Sequence, residues 1–128
     1  MRLRGKFIPG SRPDLPTLIW MPDLVEPCET FAKFFHRQDN KISSLRNIWL
    51  LNPRNFGDSD HHESFSLEDM SNDIVRFMDD HHITLATIGG HGHGAKVATA
   101  TAINHMNRFT GVICLEGGPF DHKYYEAY

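Results

Sequence analysis

Cysteine is scarce in this 128-residue sequence: Cys28 and Cys114 are the whole supply. They stand far apart, with neither a CxxC pair nor the Cys/His spacing of a zinc finger. That excludes a disulfide framework and a structural zinc cluster, and it fits a reducing compartment. Long apolar runs are missing too; none approaches the roughly twenty residues needed to cross a bilayer, and the N-terminus carries no apolar signal core. There is no low-complexity tract and no repeat at solenoid spacing. A basic stripe is also wanting, because 13 Lys and Arg are interspersed with 16 Asp and Glu for a net charge of -3. Without such a stripe a run of phosphates cannot be neutralised, so no nucleic-acid partner is expected.

What is present is ordinary globular composition, 40% hydrophobic and 23% charged, enough to bury a real core in one domain but not in two. Residues 1–128 are therefore read as a single domain, with a basic segment over 1–15 and an aromatic tail over 120–128. Arg2, Arg4, Lys6 and Arg12 precede any acidic residue. Two readings stand for that segment, a mitochondrial matrix-targeting sequence or a basic first strand.

Four apolar runs, at 17–21, 47–51, 83–88 and 111–115, read as strands of a parallel sheet covered on both faces. Three helical segments alternate with them, at 29–35, 67–81 and 95–107. The second places Leu67, Met70, Ile74, Phe77 and Met78 on one stripe and opens on Ser66 with Asp69 three residues on, an N-terminal capping pattern. The third is rich in alanine and threonine, which permit close approach to a sheet. The alternation predicts a doubly wound, mostly parallel α/β fold.

Two stretches carry chemistry. The run Gly89-Gly90-His91-Gly92-His93-Gly94-Ala95 lies between a strand and a helix, the setting of the nucleophile elbow G-x-S-x-G. Gly90 and Gly94 match its outer glycines, and Gly92 stands where the serine would project. The run Asn52-Pro53-Arg54-Asn55-Phe56-Gly57-Asp58-Ser59 resembles the strand-end loop D-x-R-N-H-G-x-S of an esterase branch of the α/β-hydrolase superfamily. Ser66, Met70, Asp73, the elbow glycines and Glu116-Gly117-Gly118-Pro119 follow in that branch's order. The resemblance covers about residues 16–119 and implies the N-terminal half of an α/β-hydrolase-like fold.

Measured against that family, three departures bear on function. The nucleophile position is glycine. The loop that helps to form the oxyanion hole reads Met21, Pro22, Asp23, in which Pro22 has no N–H to give and Asp23 brings the wrong sign of charge. The region holding the family's histidine is expected to be absent, and His122, beside Asp121, sits in a tail too short to replace it. Glu116 stands at the family's strand-end acid. The expectation is thus a chain without catalytic residues, no enzyme but a structural or interaction subunit of a larger assembly. The esterase branch and the basic N-terminus together suggest mitochondrial residence.

Two alternatives remain: a serine-type esterase or thioesterase fragment completed by another chain, and a small-molecule binding module using the old substrate cleft. No cofactor is expected. No metal is expected either, since His91 and His93 have no third ligand evident in sequence, and His61 and His62 read as a solvated loop pair. The expected partners are other protein subunits. They would cover the strand formed by Gly111, Val112, Ile113, Cys114 and Leu115, an interior strand in the family, and bury Tyr124, Tyr125 and Tyr128.

Overall fold

The computed structural model describes residues 1–24, 26–36 and 45–117. Five strands build one sheet: β1 (Arg4–Ile8), β2 (Thr17–Met21), β3 (Ile48–Asn52), β4 (Ala86–His91) and β5 (Phe109–Leu115), in the spatial order β1-β3-β2-β4-β5. All neighbours run parallel except β1, which is antiparallel to β3. The helices are α1 (Ala32–His36), entered through a 3-10 turn at Cys28–Phe31, α2 (Leu67–Asp80) and α3 (His93–Asn104). This is the mostly parallel α/β architecture that the alternating apolar runs predict.

Every residue of β2 is buried, because it lies between β3 and β4 with packing on both faces. Ile19 and Met21 face a core shared with Met70, Ile74, Phe77 and Met78 of α2 and with Val97 and Ala98 of α3. Leu18 and Trp20 face the other side, against Cys28, Ala32 and Phe35. Helix α2 begins where expected: the Ser66 hydroxyl accepts the N–H of Asp69 at 3.1 Å, satisfying one of the donors a helix start leaves open. Cys28 is buried, Cys114 is exposed, and both are free thiols.

The basic N-terminal segment contains strand β1, as the first-strand reading of it has it, with four of its five residues exposed. Three later elements differ in their bounds, the first being β5, which starts at Phe109 rather than residue 111. Strand β4 spans Ala86–His91 rather than 83–88. It runs on through Gly89 and Gly90, which pair with Trp20 and Met21 on one side and with Ile113 and Cys114 on the other. Helix α3 starts at His93, two residues early, and ends at Asn104, followed by a 3-10 turn at Met106–Arg108.

The loop after β3, which carries the esterase-like motif, is fastened at both ends. Arg54 is buried and grips Asp73 of α2 through two hydrogen bonds, at 2.6 and 2.8 Å, while a third at 2.9 Å reaches the Ser64 carbonyl. The Ser59 hydroxyl donates to the Asn52 carbonyl at 2.7 Å and accepts the Arg4 N–H at 2.8 Å. These motif residues hold the loop to α2 and to β1.

Candidate active site

Strand β4 hands the chain to Gly92, which turns at φ 58°, ψ -120° before α3 begins. A residue with a side chain is strained there, whereas glycine enters the region freely. The turn is also crowded. A Cβ on Gly90 would run into the backbone of Gly94, and one on Gly94 would run into the carbonyl of Met21 and lie 2.5 Å from that of Pro22. The glycine spacing therefore encodes a close crossing of strand, turn and helix, the geometry of a nucleophile elbow.

Where a side chain on residue 92 would project, the fold puts another residue. A Cβ on Gly92 would meet all three carboxyl atoms of Asp23. Asp23 follows β2, and its Oδ1 accepts the N–H of His93 at 2.8 Å and that of Leu24 at 2.8 Å. The His93 amide, first in α3, is the donor that the elbow architecture offers to a developing oxyanion. Burial pushes the Asp23 carboxyl up, but the His93 and Leu24 amides outweigh it and hold the group below the usual carboxylate range.

Beside Asp23 lies His91, at the end of β4. Its Nδ1 is 2.7 Å from Oε2 of Glu26 and its Nε2 is 3.0 Å from Oε2 of Glu116. Glu26 is largely buried, with 14% of its side chain exposed, whereas Glu116 is 78% exposed. Hydrogen bonds to Glu116 and then Glu26, opposed by burial, raise the His91 pKa above the ordinary imidazole value. The edge of the Phe31 ring closes one flank at a centroid distance of 5.6 Å. Asp23, Glu26 and His91 each offer a ligand atom, and these atoms lie within 4.8 Å of one another.

The sequence motif His91-x-His93 does not act as a pair. The His93 ring instead stacks on Phe65 at 6.1 Å, and burial first, then Lys96, lowers its pKa. His61 and His62 are exposed on the loop after β3. The partners of His91 come from the loop after β2 and from the end of β5. No spacing in sequence signalled Glu26, and Glu116 was read only as a strand-end acid. Gly118, Pro119, Asp121, His122, Tyr124, Tyr125 and Tyr128 lie outside the described residues.

Residues 28–124 match the profile of the α/β hydrolase fold family. The chain is 26% identical over 91 residues to a probable alcohol acetyltransferase of Wickerhamomyces anomalus, covering 69% of this chain and 27% of that protein. It is 31% identical over 77 residues to a probable alcohol acetyltransferase of Saccharomyces cerevisiae, 58% of this chain and 22% of that one. The chain thus spans about a quarter of the length of the curated relatives it matches. In fold it is similar to an esterase from a marine microorganism (TM-score 0.81, 22% identity, 95% of this chain and 45% of that one). It is likewise similar to a thermophilic esterase of Thermogutta terrifontis (TM-score 0.77, 16% identity, 98% and 44%).

These relatives correct the expectation that the chain is no enzyme. The curated ones are named for acetyl transfer and the solved ones as esterases, the family is an enzymatic one, and glycine at position 92 does not by itself establish loss of chemistry. At the site itself, the space left by the absent serine side chain is filled by a carboxylate and flanked by a histidine held between two more. With its elbow, its mostly parallel sheet and a profile match over residues 28–124, the chain belongs to the α/β-hydrolase fold family.

Proposed function

We propose that this chain supplies the elbow half of an enzyme that moves acyl groups from an ester or activated ester to an alcohol or to water. The observation that carries the reading is the Glu26–His91 pair, 2.7 Å apart at the end of β4, next to the His93 N–H at the start of α3. A buried carboxylate on Nδ1 orients an imidazole and stabilises its protonated form, which is what a general base requires. Nε2 lies 3.0 Å from the carboxylate of the exposed Glu116.

In this reading the alcohol or water gives its proton to Nε2 as its oxygen bonds to the acyl carbon. The leaving group departs with the proton that His91 returns, and no acyl-enzyme forms. The acyl oxygen takes the His93 N–H from Asp23, whose carboxylate holds that donor when no acyl group is bound. The names of the relatives, acetyltransferases acting on alcohols, support acetyl as the group moved. The test is acetyl transfer to ethanol, with hydrolysis of short acyl esters alongside, in the unaltered chain and in His91→Ala. Turnover should fall roughly 10²- to 10⁴-fold in the variant. Turnover above the uncatalysed reaction that is equal in the two proteins overturns the reading.

A second feature supports a partner. Val112, Ile113 and Leu115 of β5 are each at least 40% exposed, and β5 pairs only with β4 among the described residues. An open strand carrying apolar residues on both faces favours pairing. Another polypeptide covering this edge would make the chain one part of a larger assembly.

A further inference from the structure

We propose that Asp23, Glu26 and His91 bind a divalent cation of the zinc class at the mouth of the elbow. Their ligand atoms, one from each residue, already lie within 4.8 Å of one another. A cation would draw the more distant atoms of the set together and part His91 Nδ1 from Glu26 Oε2, now 2.7 Å apart, replacing the hydrogen bond between them.

Four observations point the same way. First, Oε1 of Glu26 is buried with no hydrogen-bond partner among the described residues, and a buried carboxylate oxygen left so is costly unless something positive meets it. Second, Asp23, Glu26 and Glu116 converge on a single imidazole, so the cluster is negative even when His91 is protonated. Third, the Asp23 carboxylate is aimed before any cation arrives, since both the His93 and Leu24 amides fix Oδ1. Fourth, with a cation on Nδ1 of His91, Nε2 would carry the proton and donate to Glu116, 3.0 Å away, so His91 then serves as a ligand and not as the proton acceptor of the metal-free route. A carboxylate that receives the far N–H of a metal-bound histidine is the recurrent outer support of such sites, where it fixes the tautomer and the ring.

Two carboxylates and one imidazole favour zinc over magnesium, and three protein ligands leave a coordination position open. Gly92 is what admits the arrangement, because any side chain at that position would collide with the Asp23 carboxyl group. The acyl-transfer reading is used only for what the cation would do: in place of a serine hydroxyl, a zinc-bound water whose pKa is lowered toward 7 could attack the acyl carbon. Binding itself does not depend on that reading.

The test is calorimetric titration and native mass spectrometry of the chelator-treated 128-residue chain with zinc, manganese and magnesium chlorides. One zinc per chain should bind, with magnesium much weaker. Glu26→Gln and His91→Ala should each weaken zinc at least tenfold, and Glu116→Ala, which removes only the outer support, about 10- to 100-fold. Circular dichroism checks that each variant folds. A double His61→Ala, His62→Ala variant should bind as the unaltered chain does. Failure of zinc to bind, or binding unchanged in both Glu26→Gln and His91→Ala, overturns the inference. Zinc bound as expected with acyl turnover unchanged in His91→Ala would defeat the acyl-transfer reading alone. Turnover untouched by chelation in a chain that takes up no zinc would defeat the metal alone.

Discussion

At residue 92 two effects of substitution act together. Serine would bring back the family's hydroxyl into a backbone conformation at φ 58° that disfavours side chains, and would do so where Asp23 already sits. Backbone strain of this kind is worth about 1 to 3 kcal/mol, and collision with a hydrogen-bonded carboxylate adds to it. Gly92→Ser should therefore lower the unfolding free energy by about that amount. Because the collision needs both side chains, Asp23→Ala should recover part of the loss, with a coupling of at least about 0.5 kcal/mol. Denaturant unfolding of the two single variants and the double variant measures it; strict additivity would mean that Asp23 does not compete with residue 92. The sequence alone marks Asp23 as a charge beside the elbow, because its place after β2 follows from the strand pattern. It does not reveal the Glu26–His91–Glu116 chain. Glu26 lies 65 residues from His91 and Glu116 lies 25 away, and only the order of strands in the sheet brings such separations to one point.

Among the elements, α2 was the most legible, since its apolar stripe and its cap are both local signals. Met70, Ile74, Phe77 and Met78 are buried and Ser66 caps the helix. Strand β1 was legible only as one of two readings of a basic segment. Its lone buried residue, Ile8, gives no period, and pairing with β3 decides its conformation. The ends of β4 and α3 moved because glycines that look like a turn in sequence are extended when flanked by two partner strands. The tie between the β3 loop and α2 falls at the same scale. Arg54 and Asp73 are both buried, so removing one leaves the other charged and without its partner. Arg54→Met should destabilise by about 3 to 5 kcal/mol, while Arg54→Met with Asp73→Leu should be distinctly milder, because no buried charge is then stranded. Thermal and denaturant unfolding of both variants would decide, and a double variant as unstable as the single would show that the bridge has value beyond compensating its own desolvation.

For the whole molecule the sheet is unevenly protected. One edge is β1, antiparallel, short, and carrying Arg4 and Lys6, the kind of edge that resists further pairing. The other is β5, where six of seven residues are exposed and Val112, Ile113 and Leu115 are apolar. No lysine, arginine or proline interrupts Phe109–Leu115, so nothing on the strand itself opposes addition of a further one. The marine esterase that shares this fold is more than twice as long, with this chain covering 45% of it, which is consistent with more structure beyond β5 in such folds. The 128-residue chain on its own should therefore self-associate through β5, and sedimentation should detect the associated species. Backbone N–H groups on the strand's open side should exchange quickly in whatever monomer remains, while those bonded to β4 stay protected. Lysine at Val112 and Ile113 together places a charge on each face of the strand and should shift the chain toward monomer. A soluble monomer whose β5 amides are protected on both sides would show that this edge is already covered from within, and the proposal of a partner there would fall.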